Sequence, residues 1–400
     1  MGPLKNVGWV DGHRRAALVG EPHHKGFANR WWGSLRSTHP TLLVMLATWS
    51  LFGLLVSTQT GAARGAAIAR AEADAFLADC AAQAAVAEKA DTITVRGKDG
   101  WLFFSGELRH LGAGKFWGDA AAKVSKATNP ERADPLPAIL DFKTQLDRAG
   151  IELLLLPVPA KAVVYPEMVS DKVKSDTQRP PRLDVWHQQF YGLLKQKGVR
   201  VLDLTGELIA HRRDKEGAVY CKHDSHWSGR ACALAAKRVA AEIKGRPWLR
   251  GVPRLKLSAE VKLTPISGDL REALAAPKPA AETLWLRLVG LAGQGELSPL
   301  EPDRGSPVIL LGDSHNLVFH SGGDMLAEGA GLADQLALEL GFAVDLIGVR
   351  GSGATPARVN LLRLARGDAE YLGKKKLVIW CFAAREFTES AGWQKVPVVK

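Results

Sequence analysis

The sequence predicts an α/β fold: a mainly parallel sheet with helices on both faces, preceded by a single N-terminal transmembrane helix. Three observations carry this reading. First, from about Val95 onward, short apolar runs such as "IELLLLPVP" (151–159), "PVILLGDS" (307–314) and "KLVIWCF" (376–382) alternate with amphipathic stretches. Strands buried on both faces read as continuous apolar runs, and their alternation with helices is the pattern of a parallel sheet. Second, a hydrophobic fraction of 46% and a charged fraction of 24% are those of a folded chain of 400 residues, enough for one large domain or two ordinary ones. Third, residues 40–63, "PTLLVMLATWSLFGLLVSTQTGAA", contain no charged side chain.

The elements follow in chain order. Residues 1–37 form a basic tail that holds +4 of the net charge of +11, leaving +7 on the rest. Residues 38–62 are expected to span a membrane, since about 17–25 apolar residues suffice. The preceding Arg14, Arg15, Lys25, Arg30 and Arg36 place the tail in the cytoplasm by the positive-inside rule. A signal peptide cleaved near Gly61-Ala62-Ala63 is the alternative to an uncleaved anchor, and a buried soluble helix is a third reading. Residues 63–94 are Ala-rich, without Pro, and read as a helical stalk leading away from the membrane.

A domain over 95–400 follows. It opens with the short apolar run "WLFF" (101–104). Amphipathic helices are expected over 136–149, 182–197, 228–244, 326–340 and 356–366, with Ser228 as N-cap of the third. Strands are expected at 151–159, 199–205, 307–312, 342–349 and 376–382. Residues 245–305, with several Pro and Gly, read as an irregular excursion between two strand–helix units.

Some function classes recede at once. No zinc-finger spacing, aromatic–basic RNA motif or dense arginine run accompanies the positive charge, so nucleic acid is not an expected partner. A basic surface also suits anionic lipid or an anionic polymer. The four cysteines (Cys80, Cys221, Cys232, Cys381) have no metal-ligand spacing, and no metal or cofactor is expected. Outside the cytoplasm Cys221 and Cys232 can bridge, or they are two independent small hydrophobes.

Three stretches can carry chemistry. In "SPVILLGDSHNLVF" (306–319) a strand ends on Gly312-Asp313-Ser314, where active residues of parallel sheets gather. Ser314 there is either a helix cap or a nucleophile. A serine nucleophile needs an imidazole to take its proton and a carboxylate to orient that imidazole. Asp224 and His226, in "YCKHDSHWSGRACALAAKRVA" (220–240), can supply both from one tight loop, or they are a polar helix cap. In "LIGVRGSGATPARVN" (346–360), Gly348, Gly351 and Gly353 allow backbone N–H groups to turn toward a developing oxyanion, or they mark a plain flexible turn. The Gly-Lys-Ser/Thr ending of a phosphate loop is missing.

Together these stretches resemble the SGNH hydrolase superfamily: "GDS" and "GSGAT" look like its first two blocks. With the Asp-x-His-Trp segment placed before the serine, and with "GKDGWLFFSGELRHL" (97–111), "PVPAKAVVYPE" (157–167), "SGDLREAL" (267–274) and "LVIWCFAAREF" (377–387), the order resembles the AlgX/AlgJ-type alginate O-acetyltransferase family, whose domain is a circularly permuted SGNH fold. The resemblance covers about residues 95–390. It implies Ser314 as nucleophile, His226 as base, Asp224 as its orienting acid, and Gly353 as an oxyanion donor. The superfamily's Gly-x-Asn-Asp block is replaced by "FAAREF", so Arg385, or Arg350 of the glycine loop, is the candidate for positive charge at the oxyanion. His223 and His315 flank the three residues as environment. The implied activity is acetyl transfer to an extracellular or periplasmic polysaccharide through an acetyl-serine, with a multi-pass membrane O-acyltransferase supplying acetyl. The inner membrane would hold the chain, with its catalytic domain in the periplasm. Two other functions fit the same residues: a carbohydrate acetylesterase, and a non-catalytic membrane-tethered polysaccharide-binding protein.

Overall fold

The computed structural model describes residues 68–173, 180–293 and 297–399. The basic tail and the expected membrane segment lie outside the described residues. Among the described residues no helix is long and apolar enough to cross a membrane.

The strands are β1 (Thr94–Arg96), β2 (Leu102–Phe104), β3 (Glu152–Val158), β4 (Arg200–Val201), β5 (Leu257–Ile266), β6 (Glu282–Leu291), β7 (Val308–Gly312), β8 (Asp345–Gly348) and β9 (Leu377–Ala383). Five of them form one sheet in the order β4-β3-β9-β7-β8, and every pairing in it is parallel. Side chains of a strand alternate between faces, and the core divides accordingly. Leu154, Leu156, Leu310 and Ile379 face one apolar cluster, while Leu153, Leu155, Ile309, Leu311, Val378 and Trp380 face the other. All seven residues of β9, the central strand, are buried, which is why that run reads as unbroken hydrophobicity.

The helices over Pro135–Arg148, Val185–Gln196, Gly229–Ile243 and Thr355–Gly367 form close to where the sequence places them. Asp134 caps the helix Pro135–Arg148 by accepting from the Leu136 N–H at 2.9 Å, with Pro135 in the first turn. Ser228 caps Gly229–Ile243, as its position predicts, accepting from Ala231 N–H at 3.4 Å.

Four expectations need correction. The Ala-rich stretch is helical over 68–89 but is no free stalk. Ala73, Phe76, Leu77, Cys80, Ala84 and Ala87 recur at helical spacing and are all buried against the domain. The supposed irregular excursion contains an antiparallel hairpin of two ten-residue strands, β5 and β6. The helix expected near 326–340 begins only at Leu332, because Leu326 takes a left-handed backbone (φ 76°). Finally, the strand expected over 199–205 pairs only at Arg200–Val201. Asp203 then accepts from Thr205 N–H at 3.0 Å and turns the chain into the helix Thr205–His211.

Candidate active site

The nucleophile candidate stands where three central strands end together. In register, Val158 of β3 lies beside Ala383 of β9, and Gly312 of β7 beside Cys381 of β9. Gly312 has no alternative here, since a Cβ would collide with the Cys381 carbonyl. The next residue, Asp313, fixes the turn. Its carboxylate accepts from Ala383 N–H at 2.7 Å and from His315 N–H at 2.9 Å, tying the end of β9 to the single turn Ser314–Asn316. Asn316 adds a bond from its amide to the Cys381 carbonyl at 2.8 Å. These ties leave Ser314 at the sheet edge, 8% exposed.

The Asp-x-His loop closes on itself through the bridge between Tyr220 and Trp227 and then reaches across to the serine turn. The Trp227 indole N–H donates to the His315 carbonyl at 3.0 Å. His226 Nε2 lies 2.7 Å from Ser314 Oγ, and His226 Nδ1 lies 2.7 Å from Asp224 Oδ1. Asp224 Oδ1 also accepts the His226 backbone N–H at 2.8 Å. With Asp224 ionised, Nδ1 carries the proton it donates, and Nε2 is left to accept from the serine hydroxyl.

Electrostatics support that assignment. Burial alone would raise the Asp224 carboxyl, but His226 and the N–H donors hold it well below the usual carboxylate range. Burial is the largest influence and works against the imidazolium of His226, yet the Asp224 charge, its hydrogen bond to Nδ1 and the Asp269 charge together outweigh it, and the pKa is raised above its ordinary 6.5. For His315, 4.7 Å away ring to ring, burial prevails and pushes the group down to about 4 despite Asp313. Two adjacent imidazoles are thus tuned in opposite directions, and only one is poised to accept a proton and keep it.

The loop is braced by side chains that the sequence did not single out for this purpose. Lys161, fully buried after β3, donates from Nζ to the Asp224 carbonyl at 2.6 Å and to the Leu102 carbonyl at 2.7 Å. Glu107 accepts the Lys161 backbone N–H at 3.0 Å, and burial raises its carboxyl to about 6. Glu282, at the start of β6, accepts the N–H groups of Lys222 at 2.7 Å and His223 at 3.1 Å. Lys161, Glu107 and Asp269 sit inside three of the stretches that carry the family resemblance, which was the available signal; Glu282 had none.

The glycine loop approaches from β8. A side chain on Gly353 would collide with Asp313 N and Phe382 Cβ, so glycine lets this loop pack against the backbone next to Ser314. Its carbonyl accepts the Trp380 indole N–H at 2.8 Å, and Ser352 donates to Glu386. The two candidate arginines part company. Arg385 lies over the Phe104 ring at 5.1 Å, and its buried Nη1 has no protein partner. Its charge acts on Glu107, His226 and Asp313. Arg350 is turned to solvent: its side chain is 61% exposed and its guanidinium pairs with Asp324 at 2.7 Å. Nor do Cys221 and Cys232 bridge; both are free thiols in the core, Cys221 donating to the Trp227 carbonyl at 3.6 Å.

Among the described residues, one grouping has the donors to hold a metal ion: ligand atoms of Asp224, His226 and Asp269 lie within 4.8 Å of one another. The imidazole N–H already occupies the facing Asp224 oxygen, so a cation would have to displace the bond that orients His226. The arrangement suits proton transfer from Ser314 better than metal ligation.

Comparison with known proteins gives the family and the fold. Residues 94–384 match the family described as SGNH hydrolase-like domain, acetyltransferase AlgX. A probable alginate O-acetylase AlgJ of Pseudomonas aeruginosa is 27% identical over 73% of this chain and 69% of its own length. The AlgJ of Pseudomonas syringae pv. tomato is 29% identical over 44% of this chain, which spans only 40% of that protein. Among solved structures, the O-acetyltransferase domain of Pseudomonas putida AlgJ superposes with a TM-score of 0.54 at 24% identity, covering 74% of this chain and 92% of that one. Pseudomonas aeruginosa AlgX does so with a TM-score of 0.51 at 21% identity, covering 73% and 62%. At these identities the two superpositions speak for the fold.

Proposed function

The chain belongs to the family of SGNH hydrolase-like domains represented by the acetyltransferase AlgX, and on that premise we propose that it transfers acetyl groups to hydroxyls of an exported polysaccharide through an acetyl-serine on Ser314. The observation that carries the proposal is the unbroken relay from Asp224 through His226 to Ser314, with both links at 2.7 Å.

In the first half-reaction Ser314 Oγ attacks the acetyl carbonyl as His226 Nε2 takes the hydroxyl proton. Asp224 stabilises the imidazolium that results. The backbone N–H groups of Ser314 and Gly353 face the developing oxyanion, and Arg385 supplies nearby positive charge. Collapse of the tetrahedral adduct expels the donor's leaving group, which recovers the proton from His226. In the second half-reaction a sugar hydroxyl gives its proton to His226 and attacks the acetyl-serine, and collapse of that adduct expels Ser314 Oγ, which takes the proton back from His226. Water in place of the sugar would give acetate and an esterase, so exclusion of water from the site separates the two outcomes.

Alginate is the substrate that the relatives' names suggest, and an alginate-like anionic polymer is compatible with the +7 carried beyond residue 37. In this reading the uncharged segment holds the chain in the inner membrane with the catalytic domain in the periplasm, where a multi-pass acyltransferase delivers acetyl. The test uses the full-length chain in detergent with an activated acetyl ester, with and without a polysaccharide acceptor. The parent acetylates the polymer and Ser314→Ala does not. Equal transfer by Ser314→Ala overturns the proposal, and ester cleavage with no transfer to any polymer replaces it with the esterase.

A further inference from the structure

"SGDLREAL" (267–274) enters the family resemblance without a role, yet it lies against the imidazole. We propose that Asp269 is a second carboxylate serving His226, a positioning residue that adds its charge to that of Asp224 and holds Asp224 in place. The inference rests on the Ser314–His226–Asp224 reading above.

Two independent contacts support it. The Asp269 backbone N–H donates to Asp224 Oδ2 at 2.8 Å, so the orienting carboxylate is gripped on the oxygen that His226 does not use. The Asp269 side chain then turns back over the loop. Its Oδ1 accepts the Ser225 N–H at 2.7 Å, its other oxygen takes the Ser225 hydroxyl, and that second oxygen stands 4.0 Å from His226 Nδ1. An opposite charge at such a distance favours the imidazolium. At 44% exposed, against 3% for Asp224, Asp269 acts through partly screened space and so makes the smaller contribution.

The remaining charged and titratable groups around His226 come from every neighbouring element. They are Asp224 in its own loop, Arg385 after β9, Glu107 in the helix after β2, and His315 after β7. Lys161, after β3, acts on both Asp224 and Asp269. Arg385 and His315 oppose the imidazolium, so removing Asp269 leaves that opposition less compensated.

The consequence is a shift with a defined sign. His226 must be neutral to take the serine proton, so activity falls as pH drops through its pKa. Asp269→Asn keeps an oxygen for the Ser225 N–H but loses the charge, so the acid limb of kcat/KM moves down by roughly half to one pH unit. The rate on the plateau falls about two- to threefold, since a less basic imidazole is a weaker base. Ser225→Ala removes the hydroxyl bond and leaves the charge, and its acid limb stays where the parent's is.

The experiment is the pH profile of ester cleavage by the full-length parent, Asp269→Asn, Ser225→Ala and Ser314→Ala, with thermal midpoints measured alongside. A downward limb in Asp269→Asn alone supports the proposal. An unmoved limb in Asp269→Asn overturns it, whether or not the midpoint falls, and leaves the triad intact provided Ser314→Ala is inactive. Activity in Ser314→Ala instead removes the reading on which the proposal rests.

Discussion

The two loops that meet at Ser314 are built in opposite ways. The Asp-x-His loop is buried and tied by side chains from distant segments, Lys161 on the Asp224 carbonyl and Glu282 on two backbone N–H groups, while its own Trp227 reaches the serine turn. The glycine loop is tied nearer its surface, by Ser352 on Glu386, the exposed Arg350 on Asp324 and the Val349 N–H on the Gly312 carbonyl. Its close approach to the serine turn rests on the lack of a side chain at Gly353 and on the Trp380 bond to the Gly353 carbonyl. The difference follows from what each loop supplies. An imidazole has to be held in one tautomer and one orientation, which takes partners on several sides. A backbone N–H needs only the close approach of its own main chain.

The comparison breaks most readily at the braced loop. Asp224→Asn replaces the acceptor at Nδ1 with a group that can donate, reversing the tautomer preference, and is expected to lower kcat by about 10³- to 10⁴-fold with little change in KM. Steady-state kinetics of ester cleavage check this. At the other loop, Gly353→Ala pushes a methyl against Asp313 N and Phe382, displacing the proposed oxyanion donor. A loss of about 10²-fold in kcat is expected, together with a lowered thermal midpoint from the overpacking, and kcat is compared at a temperature where the variant is folded. Near-parental turnover would show that the glycine loop lies outside the oxyanion site.

A third measurement sharpens the contrast through pH. His226 is raised above 6.5, so its neutral form is lost as pH falls through that raised value. The acid limb of kcat/KM in the parent therefore lies above 6.5, with activity falling about tenfold per pH unit beneath it. A limb near 4, where His315 sits, would point to the wrong imidazole. The smallest effect belongs to Arg350→Ala: an exposed ion pair contributes little, and both kcat and stability should stay within about twofold and 0.5 kcal/mol of the parent.

The unequal bracing also explains what could be read in the sequence. The central strands were legible because burial on both faces leaves an unbroken apolar signature, as in 151–159 and 376–382. Asp224, His226 and Ser314 were legible because each sits in a short stretch whose residue types are those the chemistry requires. The β5–β6 hairpin was not. Its outward positions include Val261, Leu263 and Trp285, all at least half exposed, which blurs the alternation that marks a strand. Glu282 was invisible for a related reason: its role depends on where that hairpin lands, 60 residues from the N–H it accepts. That Arg350 pairs with Asp324 at the surface was not legible, because loop composition does not fix where an exposed side chain points. The bridge between Cys221 and Cys232 failed because apolar burial is a sufficient reason for both thiols.

The central claim is that Ser314 becomes acetylated during turnover. Rapid acid quench of the full-length protein with an activated acetyl ester, followed by peptide mass spectrometry, tests it directly. One acetyl group is expected on the peptide containing Ser314, absent from Ser314→Ala and discharged when a polysaccharide acceptor is added. Sustained turnover with Ser314 unmodified at every quench time, or acetyl on another residue that the acceptor discharges, would contradict it.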